Sequence, residues 1–268
     1  MKKFVVKRLL ISIVLLFFVS MIIYGIMRCM PASFVETKAM ELSQKPGAKS
    51  YDEWLQQLNA AYGLDDSVIQ GYFVWASKAI RGQFGDSWLY NQPVLQKFAS
   101  VIWYSFALGL ASFILEIIIA IPAGVAAARK QYSLTDYSIT VIALIGISLP
   151  SFFFATILKW IFAVKLNWLD LYGIVGRMHQ QLSPMGQFLD IAKHMIMPVL
   201  TLTIVSIGSL MRYTRTNMLE VLNADYIRTA RAKGLPEKKV INHHAFRNIL
   251  IPIITLLGGT LPSLFGGA

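Results

Sequence analysis

Long runs of residues without a charge constrain this chain more than any other feature. Leu9 to Met27 is 19 uncharged residues, Tyr137 to Leu158 is 22 and Ile249 to Ala268 is 20. About 20 apolar residues in a helix cross the ~30 Å hydrocarbon core of a bilayer. Only 15% of the residues are charged, against about a quarter in a typical soluble domain. The sequence therefore predicts an all-α polytopic membrane protein.

Two further stretches fit the same pattern less cleanly. Trp103 to Ala128 is apolar apart from Glu116, and Met195 to Met211 is 17 uncharged residues that follow His194. The sequence thus predicts five membrane spans, placed at residues 9–27, 99–128, 137–164, 195–215 and 249–268.

The first span resembles a signal peptide because a basic stretch, residues 1–8, precedes it. Its apolar run is longer than the usual 7–15 residues of such a peptide, and residues 28–31 offer no small-residue cleavage site. We therefore expect a retained helix.

The positions of the basic residues predict the orientation. With residues 1–8 in the cytoplasm, 14 of the 25 Lys and Arg residues are cytoplasmic: four in residues 1–8, two at 129–130 and eight between residues 212 and 247, in and beside the cytoplasmic segment 216–248. Segments 28–98 and 165–194 are then extracytoplasmic, and 28–98 has equal numbers of cations and carboxylates. This arrangement obeys the positive-inside rule. Basic loops beside anionic lipid account for the net charge of +11, so no nucleic-acid partner is expected.

The extracytoplasmic segment 28–98 is predicted to contain short helices. Ser50 and Glu53 form a capping-box pattern at the start of one, with Gly63 in the expected C′ position. A second amphipathic stretch runs from about Ser67 to Ile80, and residues 82–87 form a turn.

The most polar stretch near the end of the chain is residues 225–248, with six Lys or Arg and two carboxylates. Asn223 or Asp225 can cap a helix that runs to about Lys233. Gly234 fits the C′ position, where glycine adopts the left-handed conformation without strain. A second helix then begins near Pro236 and Glu237.

This helix–glycine–helix element is predicted to be a docking surface. Small residues would allow another surface to approach closely: Ala224, Thr229, Ala230 and Ala232. Basic residues would pair with acidic groups of a partner: Arg228, Arg231 and Lys233.

Two features suggest residues that line a polar cavity within the membrane. Ser148, Pro150 and Ser151 favour a kink or break that lines a cavity, although an ordinary packed kink explains the proline equally well. Glu116 lies in mid-span, where a carboxylate lines a path or anchors neighbouring helices.

The chain lacks the patterns of common enzymes. It contains no G-x-x-x-x-G-K-[ST] phosphate loop, no zinc-ligand spacing and no nucleophile–base motif. We expect no enzyme activity, no metal site and no cofactor in the chain itself.

The stretch MLEVLNADYIRTARAKGLPEKKVINHHAFRNILIPIIT, residues 218–255, resembles the cytoplasmic loop of dipeptide and oligopeptide permease subunits of ABC importers. In that family the loop contains coupling helices that sit in a groove of the ATP-hydrolysing subunit. The resemblance assigns the coupling role to Asp225, Tyr226, Arg228, Thr229, Ala230, Arg231, Ala232, Gly234, Leu235, His244 and Arg247.

The resemblance covers essentially the whole chain. AIPAGVAAARK (120–130), LPSFFFATIL (149–158), HMIMPVLTLTI (194–204) and GQFGDS (82–87) are also similar to the family. RCMPASF (28–34) and NWLDLYG (167–173) depart from its pattern. The family has six membrane helices, whereas this sequence stops at LFGGA (264–268), so we expect a fragment that lacks the last helix.

The resemblance implies a type I ABC importer permease-like helical bundle with its core at about 99–268. The expected function is ATP-driven import of peptides, nickel or other small ligands. The expected partners are a homologous permease, two ATPase subunits that bind ATP and Mg²⁺, an extracytoplasmic substrate-binding protein and the lipid bilayer. The expected location is the plasma or inner membrane of a prokaryote. The alternatives are an ion-coupled secondary transporter, an intramembrane enzyme and a non-functional truncated fragment.

Overall fold

The computed structural model describes residues 2–29, 34–62, 66–87, 89–90 and 92–266. The chain divides into two compact units, residues 1–98 and 99–268. The first unit contains α1 (Lys2–Arg28), α2 (Phe34–Ser43), α3 (Tyr51–Tyr62), α4 (Val68–Ile80), β1 (Asp86–Ser87) and β2 (Gln92–Pro93). Helix α5 (Val94–Arg129) leads into the second unit.

The second unit is helical throughout its described elements. It continues with α6 (Leu134–Ser148), α7 (Ser151–Leu158), α8 (Pro184–Leu222), α9 (Asp225–Ala232), α10 (Glu237–Lys239) and α11 (Phe246–Thr260). A π-helical turn over Lys159–Lys165 extends α7, and another over Val240–Ala245 joins α10 to α11. Single 3₁₀ turns lie at His179–Gln181 and Leu261–Phe265.

The described part of the chain contains four helices long and apolar enough to cross a membrane: Lys2–Arg28, Val94–Arg129, Pro184–Leu222 and Glu237–Phe265. There are up to five crossings if the bent pair Leu134–Ser148 and Ser151–Lys165 counts as one span. The all-α polytopic membrane fold predicted from the sequence is therefore confirmed. The only strands in the described residues are the two-residue β1 and β2, which pair antiparallel.

The predicted span 137–164 is interrupted at Pro150, where the sequence favours a kink or break. It is broken into α6 and α7, whose axes differ by 103°. Leu149, at the break, is extended with φ −99° and ψ 139°, because a residue that precedes proline avoids the helical region. Pro150 then provides the extended start of α7.

Other helix ends also differ from the expected spans. Helix α8 begins at Pro184 and ends at Leu222, so it includes residues expected in the loops 165–194 and 216–248. Helix α5 starts at Val94, five residues before the expected 99. Apolar runs mark the part of a helix that lies in lipid, whereas a helix continues into water until a cap ends it. Residues 267 and 268 of the expected span 249–268, and Gly63, lie outside the described residues.

The Ser50–Glu53 capping box predicted in the first unit is confirmed. Glu53 accepts a hydrogen bond from the Ser50 backbone N–H at 3.0 Å, and Ser50 Oγ accepts one from the Glu53 N–H at 3.4 Å. Ser67 caps α4 in the same manner through the Gln70 N–H. Helix α4 packs on α1 through Tyr72, which is 2% exposed and whose hydroxyl lies 2.9 Å from Ser20 Oγ.

Helix α8 is the centre of the second unit, and its neighbours approach it at glycines. A Cβ atom on Gly124 of α5 would lie 2.7 Å from the carbonyl oxygen of Met211. A Cβ atom on Gly146 of α6 would lie 2.6 Å from that of Ile204. A Cβ atom on Gly208 of α8 would clash with the Ala143 carbonyl. The helix backbones therefore touch, as is common in membrane bundles.

Replacing Gly208 with alanine should lower the stability of the second unit by about 1–3 kcal/mol, since the added methyl group forces the helices apart. The measurement is the thermal unfolding midpoint of the purified chain in detergent. Gly258→Ala is the matched control, because a Cβ atom there meets nothing within 4 Å. A control as damaging as Gly208→Ala would contradict the close-packing explanation.

Candidate functional site

The candidate coupling element, residues 225–248, begins where α8 ends. Asn223 closes α8 and Ala224 is extended, with φ −71° and ψ 149°, so the chain turns sharply into α9. Helix α9 has no side-chain cap bond; its N-cap residue is Ala224, not the expected Asn223 or Asp225. Asp225 is instead the first residue of α9, where a negative charge favours the helix dipole.

Gly234 ends α9 as the sequence predicts. Its φ is +73°, and its N–H donates to the Arg231 carbonyl at 2.9 Å. The Leu235 N–H reaches back to the Ala230 carbonyl at 3.4 Å. These two bonds form a Schellman motif, which satisfies carbonyls that the helix end leaves free. The turn is thus defined by local backbone chemistry.

The second helix of the element starts at the expected place. Pro236 is extended, with φ −61° and ψ 140°, and α10 begins at Glu237. The π-helical turn Val240–Ala245 then continues into α11 without an interruption. A π turn shifts the residues after it around the helix axis and often occurs at functional sites.

One face of the element is anchored in the core of the second unit. Ile227, Val240 and Ala245 are each 0% exposed, and they belong to a cluster with Met218 of α8 and Ile249 of α11. Burying an aliphatic side chain stabilises by about 1.5–3 kcal/mol. The element is therefore packed against the membrane helices that flank it.

Ala230 differs from the expectation that it offers a small exposed surface. It is only 6% exposed and packs in the same core cluster. Ala232, in contrast, is exposed. The helical period places Ala230 and Ile227 on one side of α9 and Ala232 on the other.

The exposed face of the element contains most of the predicted coupling residues: Asp225, Tyr226, Arg228, Thr229, Arg231, Ala232, Gly234 and Arg247. Tyr226 is a large aromatic residue with 48% exposure. Leu235 and His244 are half-buried beside this face. Ten of the eleven predicted residues are thus exposed or half-buried, and Ala230 is the exception.

An ion pair closes the turn between α9 and α10. Arg231 Nη2 lies 2.8 Å from Glu237 Oε1, and Arg231 Nε lies 3.2 Å from Oε2, a two-pronged contact. The hydrogen bond from Arg231 to Glu237 raises the pKa of Arg231 above its ordinary value. Both side chains are about half exposed, so the pair shapes the turn more than it stabilises the fold.

A buried ion pair near the start of α6 was not predicted. Arg215 Nε and Nη2 donate to Asp136 Oδ1 and Oδ2 at 2.6 and 2.7 Å. The Asp136 side chain is 3% exposed, and it also accepts the Tyr132 N–H at 3.0 Å. Ser133 caps α6 through the Asp136 N–H, so S-x-x-D was the available signal. No sequence pattern indicated Arg215 as the partner of Asp136, because the two residues are 79 positions apart.

The candidate transport-path residues fall in two places. Ser148, Pro150 and Ser151 lie at the break between α6 and α7, and Ser151 lines a cavity. Glu116 is half-buried in α5, beside Ser206 of α8, and does not line this cavity.

The cavity lies beside α7 and the first half of α8. Its volume is about 380 Å³, which is within the range of small-molecule sites. Apolar lining comes from Phe152, Leu171 and Met197, and charged or polar lining includes Lys159, Asp170 and His194. Its lining on α8 runs from His194 to Leu202, so at 1.5 Å per residue these residues lie about 30 to 42 Å from the end of α8 at Leu222, where the coupling element begins.

The sequence matches two protein families along nearly its whole length. Residues 120–268 match the family described as "Binding-protein-dependent transport system inner membrane component". Residues 1–109 match the family described as the N-terminal part of a binding-protein-dependent transport system membrane component.

Curated relatives match the entire chain. It is 35% identical to the oligopeptide transport system permease protein AppB of Bacillus subtilis, with 100% of this chain and 81% of the relative covered. It is 34% identical to the oligopeptide transport system permease protein OppB of Escherichia coli K12 and 33% identical to OppB of Salmonella typhimurium, at the same coverage.

Proposed function

The chain belongs to the binding-protein-dependent transport system inner membrane components, and from this premise we propose how it works and what it carries. It is a multi-pass membrane subunit of an ABC importer and forms part of the translocation path. We propose further that residues 225–248 couple it to ATPase subunits, and that its cargo is peptides.

The exposed outer face of α9 is the single observation that carries the coupling proposal. The inner face contributes fully buried Ile227 to the core cluster, which also holds Val240 of the π-helical turn and residues of α8 and α11. The outer face presents Tyr226, Arg228 and Ala232 to a partner. A partner that displaces this element also moves the helices packed against it, because packed segments shift together as rigid bodies.

The proposed mechanism alternates access to a central path. ATP binding in the partner subunits closes their dimer, and ATP and Mg²⁺ stay in those subunits. Closure displaces the 225–248 element, and the displacement passes through its buried face into α8 and α11. Transport is then driven by hydrolysis in the partner, while the chain itself is not an enzyme.

Peptides are the proposed cargo because the named relatives are oligopeptide permeases. A second, homologous permease subunit, two ATPase subunits and an extracytoplasmic binding protein complete the proposed assembly. The distribution of Lys and Arg supports a cytoplasmic N-terminus in the plasma membrane of a prokaryote. The extracytoplasmic residues 28–98 then face the binding protein.

Co-purification tests the coupling proposal. The chain is co-expressed with the ATPase subunits and second permease encoded beside it, and retained ATPase is measured in detergent. Ala232→Trp should reduce retained ATPase at least tenfold, because the indole obstructs an exposed contact face without entering the core. Ala60→Trp, at an exposed position of α3, should retain ATPase as the wild type does. Undiminished retention by Ala232→Trp would reject this face as the contact.

A further inference from the structure

Helix α4 packs on a part of α1 that lies at the level of the lipid chains. The uncharged run of α1, Leu9 to Met27, ends directly before Arg28. At 1.5 Å per residue the run is about 28 Å long, which matches the ~30 Å hydrocarbon core of a bilayer. Arg28 therefore marks one boundary of that core. Ser20 lies eight residues before Arg28, so it is about 12 Å inside the boundary.

Tyr72 of α4 contacts α1 at this depth. Its hydroxyl lies 2.9 Å from Ser20 Oγ and donates to the Phe17 carbonyl oxygen at 3.3 Å. The centroid of its ring lies 5.7 Å from that of Phe17 and 5.8 Å from that of Tyr24. Groups on α1 thus satisfy the hydroxyl of a side chain that is almost fully buried. A polar group inside the hydrocarbon core requires such partners, because no water is present there.

The start of α4 lies at the boundary itself. Arg28 Nη2 donates to the carbonyl oxygen of Asp66, just before α4 begins, at 2.7 Å. Tyr72 follows Asp66 by six residues, about 9 Å of helix, so α4 enters the level of the lipid chains as it leaves Arg28. The Trp75 ring lies 5.8 Å from that of Tyr24, which is only four residues from Arg28. The contacts of α4 with α1 are therefore confined to the half of the bilayer next to Arg28.

A second apolar face of α4 is exposed. Tyr72 is buried on the side that packs on α1. Ile69, Phe73 and Ile80 share an adjacent side, since residues four and seven positions apart lie on one face of a helix. These three side chains are 60%, 55% and 88% exposed. Lys78 lies on the opposite side of the helix by the same period.

The depth of α4 determines what its exposed apolar face meets. The α1 surface at this level is also apolar and exposed, as at Leu16, which is 69% exposed, and α1 is a membrane helix. A face at the same level has the same surroundings, which are lipid acyl chains. Lys78 and Arg81 are exposed away from this face, and long basic side chains extend to the phosphates at a bilayer surface. Apolar and aromatic residues on one face with basic residues on the other are typical of helices that lie in a membrane interface.

We propose that α4 is an interfacial membrane helix whose face of Ile69, Phe73 and Ile80 contacts the acyl chains of the leaflet next to Arg28. Its basic side chains contact the lipid phosphates of that leaflet, which is the outer one in the proposed orientation. The inference rests on α1 as a membrane helix and not on the proposed cargo or coupling role. Segment 28–98 is then attached to the membrane surface at α4.

Spin-label accessibility tests the position of this face. The full chain with Cys29→Ser and Phe73→Cys carries one nitroxide label in nanodiscs of phosphatidylethanolamine and phosphatidylglycerol. Collisions of the label are measured with oxygen, which concentrates among acyl chains, and with a neutral nickel chelate, which stays in water. We expect the ratio of oxygen to chelate collisions at Phe73 to be at least threefold higher than at Gln56→Cys, an exposed position of α3. It should approach the ratio at Leu16→Cys, an exposed position of α1.

Three results would overturn the proposal. A ratio at Phe73 equal to that at Gln56 would place the face in water. Few collisions with either reagent would place it against protein, in a second subunit or in another part of this chain. Equal ratios at Phe73→Cys and at Lys78→Cys, on the opposite side of α4, would contradict an interfacial position.

Ile69→Cys repeats the measurement on the same face if Phe73→Cys does not fold. The measurement needs no ATPase, peptide or uptake. A failure here therefore leaves the proposed import function intact, and a failure of import leaves the position of α4 unchanged.

Discussion

Gly234→Val should abolish ATP-driven transport and lower ATPase retention at least tenfold. The position has φ +73°, where an L-residue costs about 1–2 kcal/mol and a β-branched residue costs more. Valine would force the turn out of the left-handed conformation and break the Gly234 and Leu235 bonds that end α9. The measurements are co-purified ATPase and uptake in proteoliposomes.

Gly234→Asn is the matched control for this variant. Asparagine adopts the left-handed conformation more readily than other non-glycine residues, and a Cβ atom at this position meets nothing within 4 Å. We expect Gly234→Asn to keep most of the wild-type retention. Equal loss in both variants would show that the glycine is needed for close contact with the partner and not for its backbone conformation.

Asp136→Asn should destabilise the second unit by about 3 kcal/mol. Removing one partner of a buried ion pair leaves the other charge uncompensated, at a typical cost of about 3–5 kcal/mol. Arg215 retains 26% exposure, so the lower end of that range applies. The thermal unfolding midpoint in detergent measures the loss, and transport should fall in parallel because α6 and α8 are no longer tied together.

The exposed pair in the coupling element is the control for this prediction. Glu237→Gln removes a two-pronged contact with Arg231 of similar length. Because both groups are about half exposed, its cost should be at most about 1 kcal/mol. The double variant Asp136→Asn with Arg215→Gln should recover part of the loss. Equal losses of stability in Asp136→Asn and Glu237→Gln would contradict the explanation that burial sets the cost of breaking an ion pair.

The predictions that succeeded depend on chemistry between residues close in the sequence. The Ser50–Glu53 capping box and the Gly234 turn involve bonds that span six residues or fewer. The membrane helices follow from the length of uncharged runs. The prediction of which α9 residues are exposed was less accurate. Ala230 and Ala232 are the same residue type, but Ala230 is buried and Ala232 is exposed.

The sequence by itself thus determined that the chain is a helical membrane protein, where its turns lie and which family it resembles. Only the tertiary structure decided the 103° angle of the break at Pro150, the pairing of Asp136 with Arg215 and the meeting of His194 with Asp170. Local hydrogen bonds and the length of an apolar run depend only on residues that are close in the sequence. Contacts between residues tens of positions apart depend instead on how helices pack, and apolar helices offer many packings whose choice rests on backbone contacts such as those at Gly146 and Gly208.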